Sequence, residues 1–168
     1  MITECKEFLS NWIINFLSTP QEILSGYPPC PYARKALVEN KINFVSSTNY
    51  SDVILKEIES WDDLFDVLLV ECGSVDKDYF VDQVANINNA IISKGFVALE
   101  DHIDIAEPLG HLDFRNGKYN IILVQRLSKI NSASESLKKI GYYNNWSNNM
   151  IDSVVSWRFT APQESQIL

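Results

Sequence analysis

The sequence predicts an α/β domain, a mixed sheet of about four to five strands with flanking helices, with a thioredoxin-like core as first candidate. Two patterns carry that expectation. Short apolar runs that read as buried strands alternate with segments whose apolar residues recur at helical spacing, and a late Asn116-Gly117 pair has the composition of a tight hairpin turn. Size agrees: 168 residues, 46% hydrophobic and 21% charged, can build one core but not comfortably two.

Taken in order, Thr3 can cap a helix with Phe8, Leu9, Trp12, Ile13, Phe16 and Leu17 on one stripe. Pro20 ends it or opens a short turn through Ile23 and Leu24. Gly26-Tyr27-Pro28-Pro29 should be extended, since each proline pushes its predecessor out of the helical region. Pro31 suits the first position of a helix, which puts Cys30 near the cap and turns Ala33, Ala36 and Leu37 inward.

A strand follows at Ile42 to Ser46, then a helix capped by Ser51 or Asp52 and carrying Ile54, Leu55 and Ile58. Phe65 to Glu71 is a near-continuous apolar run, the pattern of a strand covered on both faces. Asp76 starts the clearest helix, with Phe80, Val84, Ile87 and Ile91 on one face and Gly95 as its stop. Phe96 to Glu100 reads as another buried strand. Around Asn116-Gly117, Leu112–Arg115 is expected to fold back on Tyr119–Val124, with Gly73 in an unconstrained loop. Ser128 should cap a last helix with Ile130, Ala133, Leu137 and Ile140 inward. The expected organisation is one α/β domain over 1–158, with an N-terminal helical extension over 1–25 and a flexible tail over 159–168. A generic three-layer α/β sandwich fits the element order as well.

A net charge of −8 with scattered Lys and Arg argues against nucleic acid or an anionic membrane as partner. No apolar run approaches the ~20 residues of a membrane helix, and the polar opening Glu4, Lys6, Glu7 does not read as a secretory signal. Three widely spaced cysteines, Cys5, Cys30 and Cys72, make no disulfide framework, so a cytoplasmic location is expected. Frequent Asn and Ile point to an AT-rich genome, bacterial or viral.

Cys30-Pro31-Tyr32-Ala33 is the segment with chemistry in it. A thiol at a helix N-terminus faces unpaired N–H groups and the positive end of the helix dipole, which favour the thiolate, and Arg34 and Lys35 add positive charge. The segment resembles the Cys-Pro-Phe/Tyr-x active-site motif of omega-class glutathione transferases and monothiol glutaredoxins. That resemblance implies a nucleophilic Cys30 forming mixed disulfides with glutathione, and a cysteine that directly follows the first strand. Cys-Pro-Tyr-Ala-Arg-Lys-Ala-Leu, Ile-Asn-Phe-Val-Ser-Ser and Lys-Tyr-Asn-Ile-Ile-Leu-Val-Gln-Arg-Leu-Ser together resemble a bacterial domain family of unknown function, over about residues 26 to 140. It implies no activity, but it singles out Cys30 and Arg126. Read alone, a cysteine among prolines is more often a small packing residue.

His102, Asp104 and His111 sit in an acidic loop after a buried strand, where α/β proteins place ligands. A solvated loop explains them without a metal, and a zinc set of Cys30, Cys72, His102 and His111 lacks any close ligand pair, so no metal is expected. No phosphate loop, dinucleotide fingerprint or Gly-x-Ser-x-Gly is present, and no cofactor is expected. Tyr142, Tyr143, Trp146 and Trp157 either lid a small core or form a partner patch. Two functional readings stand: a non-catalytic module that binds a protein partner through the acidic loop or the aromatics, slightly favoured, and a monothiol redox or thiol-transfer protein using Cys30, Tyr32 and Arg34.

Overall fold

The computed structural model describes residues 2–160. Its centre is a four-stranded mixed sheet of β1 (Ile42–Ser46), β2 (Val67–Glu71), β6 (Ile121–Arg126) and β3 (Phe96–Asp101), in that spatial order. β1 and β2 are parallel, and β6 runs antiparallel to both β2 and β3. No described helix is long and apolar enough to cross a membrane.

Side-chain alternation along the strands divides the core. Leu68 and Val70 of β2, Ile122 and Val124 of β6 and Phe96 and Ala98 of β3 face α3 (Tyr50–Glu59) and α4 (Lys77–Ile91), where Ile54, Ile58, Phe80, Val84, Ile87 and Ile91 are buried. On the opposite face Leu69 and Ile121 meet Cys5 and Leu9 of α1 (Ile2–Trp12). α1 runs on through a π-helical turn over Ile13–Leu17. The stripe of α4 is the one expected, and Asp76 caps it by accepting from the N–H groups of Asp78 and Tyr79.

The expected hairpin at Asn116-Gly117 does not form. The short strand β5 (Leu112–Asp113) pairs instead with β4 (Pro108–Leu109), across a two-residue turn at Gly110-His111. Gly110 takes φ +59°, the positive first position that such a turn requires. β6 lies between two strands because Ile121, Ile122 and Val124, pointing to both faces, are all 0% exposed, and an edge position beside a hairpin partner would leave half its backbone unpaired. Asn116 is buried with no positive φ, while Gly117 has φ +74°. The Asn116 Oδ1 accepts from the N–H groups of Lys118 and Tyr119, a side-chain-closed turn rather than a strand reversal.

Gly73 is not unconstrained: its φ is +73°, and a Cβ there would stand 3.3 Å from Thr48 Cγ2. Gly26 also turns, at φ +83°, where an extended segment was expected.

The last long helix, α5 (Leu127–Lys139), begins one residue before Ser128, with Arg126 at the cap position. Its buried face is Leu127, Asn131, Ser134 and Leu137, and Ile140 is 49% exposed. The expected stripe is rotated because Asn131 and Ser134 face Arg158, a side chain only 2% exposed. After α6 (Asn148–Val154), a 3-10 turn over Ser156–Phe159 brings Arg158 inward. Residues 161–168 of the expected tail lie outside the described residues.

Candidate functional site

The three residues expected to form a thiol site are not assembled. α2 (Ala33–Val38) is six residues long and starts beyond Tyr32, so Cys30 lies in the turn before it. Tyr32 is 45% exposed, Arg34 points to solvent, and Lys35 stands 4.0 Å from Glu39 rather than beside the thiol. Cys30 as a residue is half-buried, yet its sulfur is covered. Burial pushes the thiol above its ordinary value and outweighs the N–H groups of Tyr32 and Ala33, which pull the other way. The motif also precedes the first strand, where the glutathione-family resemblance implies that it follows.

The C-terminal aromatics pack beside this turn. Tyr142 donates its hydroxyl to the Pro29 carbonyl, Tyr143 packs edge-on against both Tyr142 and Trp146, and the Trp146 ring is tilted 46° to that of Tyr142. Together with Leu24, Leu109, Leu112 and Leu137 they close a second apolar cluster over the N-terminal extension. Tyr142 and Trp146 thus act as packing. Arg126 is engaged elsewhere: its Nε donates to Asp63 Oδ1 at 2.7 Å, and its guanidinium lies over the Phe96 ring.

The histidines do not converge either. His111 is exposed in the Gly110-His111 turn, whereas His102 is 1% exposed with both ring nitrogens occupied. Its Nδ1 accepts from the Asp104 N–H and its Nε2 sits 2.9 Å from the Val75 carbonyl, which sets the proton on Nε2. The carboxylates of the loop serve its own backbone. Asp101 Oδ2 accepts from the N–H and the side-chain amide of Asn116, and Asp113 takes the Arg115 guanidinium.

Glu107 in this loop is pushed up to about 7, first by burial and then by the negative charges of Asp101, Glu100 and Asp113, with Arg115 opposing. An unfolded Glu ionises near ~4.3, so the folded state holds this proton longer. The group therefore withdraws stability as pH rises from the ordinary Glu range through about 7. Glu107→Gln removes that dependence. In thermal melts its Tm relative to wild type is expected to be higher at pH 8 than at pH 4.5, and the same difference at both would contradict the shift.

Where the two parallel strands end, the structure opens a groove of about 300 Å³. One wall is the β1–α3 joint, with Thr48, Asn49, Tyr50 and Ser51, and the other the β2–α4 joint and first turns, with Cys72, Ser74, Val75, Tyr79 and Gln83. Carboxyl ends of parallel strands are where open α/β sheets place ligands, because loops diverge there and helix N-termini converge. Tyr50 is 5% exposed, its ring packed edge-on against Phe80, and its hydroxyl has no hydrogen-bond partner among the described residues. The first turn of α3 has no side-chain cap, since the Asn49 amide instead holds Asp52.

The far wall is tied down by residues from another part of the chain. Asn120 donates to the Gly73 carbonyl, and its Oδ1 accepts from Ile103, while His102 meets the Val75 carbonyl.

No protein-family model, curated protein or solved structure matches this chain.

The groove itself presents hydroxyl and amide side chains. Cys72, its one thiol, is kept neutral first by burial and then by the charge of Glu71, and its S–H is directed at the Val70 carbonyl. Tyr50, which the sequence places just ahead of a helix cap, carried no signal of this role. The closest hint was the pair of strand ends before Ser47-Thr48-Asn49 and Gly73-Ser74.

Proposed function

We propose that this chain is a non-catalytic binding domain whose site is the groove at the carboxyl ends of β1 and β2. The single observation that carries the reading is the buried Tyr50 hydroxyl, without a hydrogen-bond partner among the described residues, in the lining of this groove. A buried hydroxyl without a partner costs about 1–3 kcal/mol, a cost that a ligand hydrogen bond would remove. The covered, protonated Cys30 also favours a non-catalytic role over thiol transfer. Three free cysteines support a reducing, cytoplasmic setting.

The aromatics and acidic loop are less suited to the protein-partner role. Tyr142, Tyr143 and Trp146 are committed to the second cluster, and Asp101 and Asp113 to their own loop.

A fragment library screened by amide chemical shifts tests the site. Responses should gather at Thr48, Ser51, Ser74 and Tyr79. Responses gathering at Cys30–Tyr32 instead would overturn the assignment.

A further inference from the structure

We infer that the groove takes a neutral, hydroxyl-rich small molecule of about monosaccharide size, anchored on the Tyr50 hydroxyl. The inference rests on the preceding assignment of the groove as the binding site.

Size comes first. At about 300 Å³ the groove lies at the small end of ligand pockets, a volume that matches a monosaccharide. Charge comes next. None of the side chains lining the groove is charged, so an ionic ligand would find no counter-charge inside it.

The surroundings disfavour anions further. The uncapped first turn of α3 alone would attract one, but Asp52 stands in that same turn and Asp76 and Asp78 at the start of α4. Cations fare no better, since the Asp52 carboxylate is taken by Asn49 and the Asp76 carboxylate by two backbone N–H groups.

What remains is a lining of groups that both donate and accept. Thr48, Ser51 and Ser74 hydroxyls and the Asn49 and Gln83 amides match a ligand whose own groups do the same. Tyr79, 57% exposed, adds an aromatic ring to the lining, a group that can pack on the C–H surface of a sugar-like ligand. Tyr50 belongs to the same lining, and its hydroxyl is enclosed and without a hydrogen-bond partner among the described residues.

Tyr50→Phe keeps the ring and removes only the hydroxyl. The variant should melt at or above the wild-type temperature, because an unpaired buried group has been deleted. D-glucose, myo-inositol and uridine serve as neutral probes, inorganic phosphate and acetate as anionic ones, each titrated while the amide shifts of Thr48, Ser51 and Ser74 are followed. At least one neutral probe should shift these amides, with affinity about tenfold weaker in Tyr50→Phe. Anions shifting them while neutral probes stay silent would overturn the ligand class and leave the groove as the site. The class also falls if fragments map to the groove but no neutral probe does, or if Tyr50→Phe binds the neutral probe as well as wild type. Fragments mapping elsewhere would remove the site reading itself. A clearly lower melting temperature for Tyr50→Phe would show the hydroxyl to be satisfied within the fold, and the inference would fail.

Discussion

Asn116→Ala is expected to destabilise the fold by on the order of 3 kcal/mol, far beyond an ordinary loop substitution. The Asn116 amide donates at 2.7 Å to Asp101 Oδ2 and at 2.8 Å to the Tyr119 carbonyl, while its Oδ1 accepts from Lys118 and Tyr119. Truncation strands a carboxylate that is 5% exposed, with only the Asn116 backbone N–H left to it. Burial already pushes the Asp101 carboxyl up, and the Asn116 hydrogen bonds are the main opposing influence. The same loop fixes His102 and Asn120 against the groove wall, so the variant should also broaden the amide signals of Gly73 and Val75. Urea denaturation measures the first effect, and a loss below about 1 kcal/mol would mean that Asp101 does not depend on this partner.

Phe80→Ala should cost more, about 3–5 kcal/mol, because it opens a cavity where α4 meets the sheet. Phe80 is 0% exposed, its ring centroid 5.9 Å from that of Tyr50 and 5.4 Å from that of His102. It therefore supports both the floor of the groove and the histidine that braces its wall. A urea midpoint shifted by less than the equivalent of about 1.5 kcal/mol would show that this position is not the packed centre described above.

Local pattern was legible wherever one residue type decides one element. The α4 stripe from Phe80 to Ile91, the Asp76 cap and β1 at Ile42–Ser46 appear as the sequence predicts, since periodicity and capping act within a few residues. Pairing was not legible. Asn116-Gly117 has hairpin composition, but composition does not reveal that Asp101 requires the Asn116 side chain or that β6 must be covered by a strand on each side. The polar face of α5 was misread for a similar reason: Asn131 and Ser134 look solvent-facing until Arg158 arrives from beyond α6. The dipole argument for Cys30 takes a full helix opening at Pro31, and the chain supplies six residues starting at Ala33. The groove was invisible because its two walls come from separate loops and its anchor, Tyr50, is a residue that ordinarily reads as core.

The non-catalytic reading turns most directly on the pH dependence of Cys30 alkylation in the folded protein, followed by peptide mass spectrometry with iodoacetamide. Cys30 should react slowly at neutral pH, with an apparent pKa above the ~8.5 of a free thiol, and should speed up sharply once denaturant uncovers it. Cys5, held up to about 11 by burial, and Cys72 serve as internal references for buried thiols. Rapid alkylation of Cys30 alone, in the folded state and with an apparent pKa well below ~8.5, would contradict the reading and restore thiol transfer.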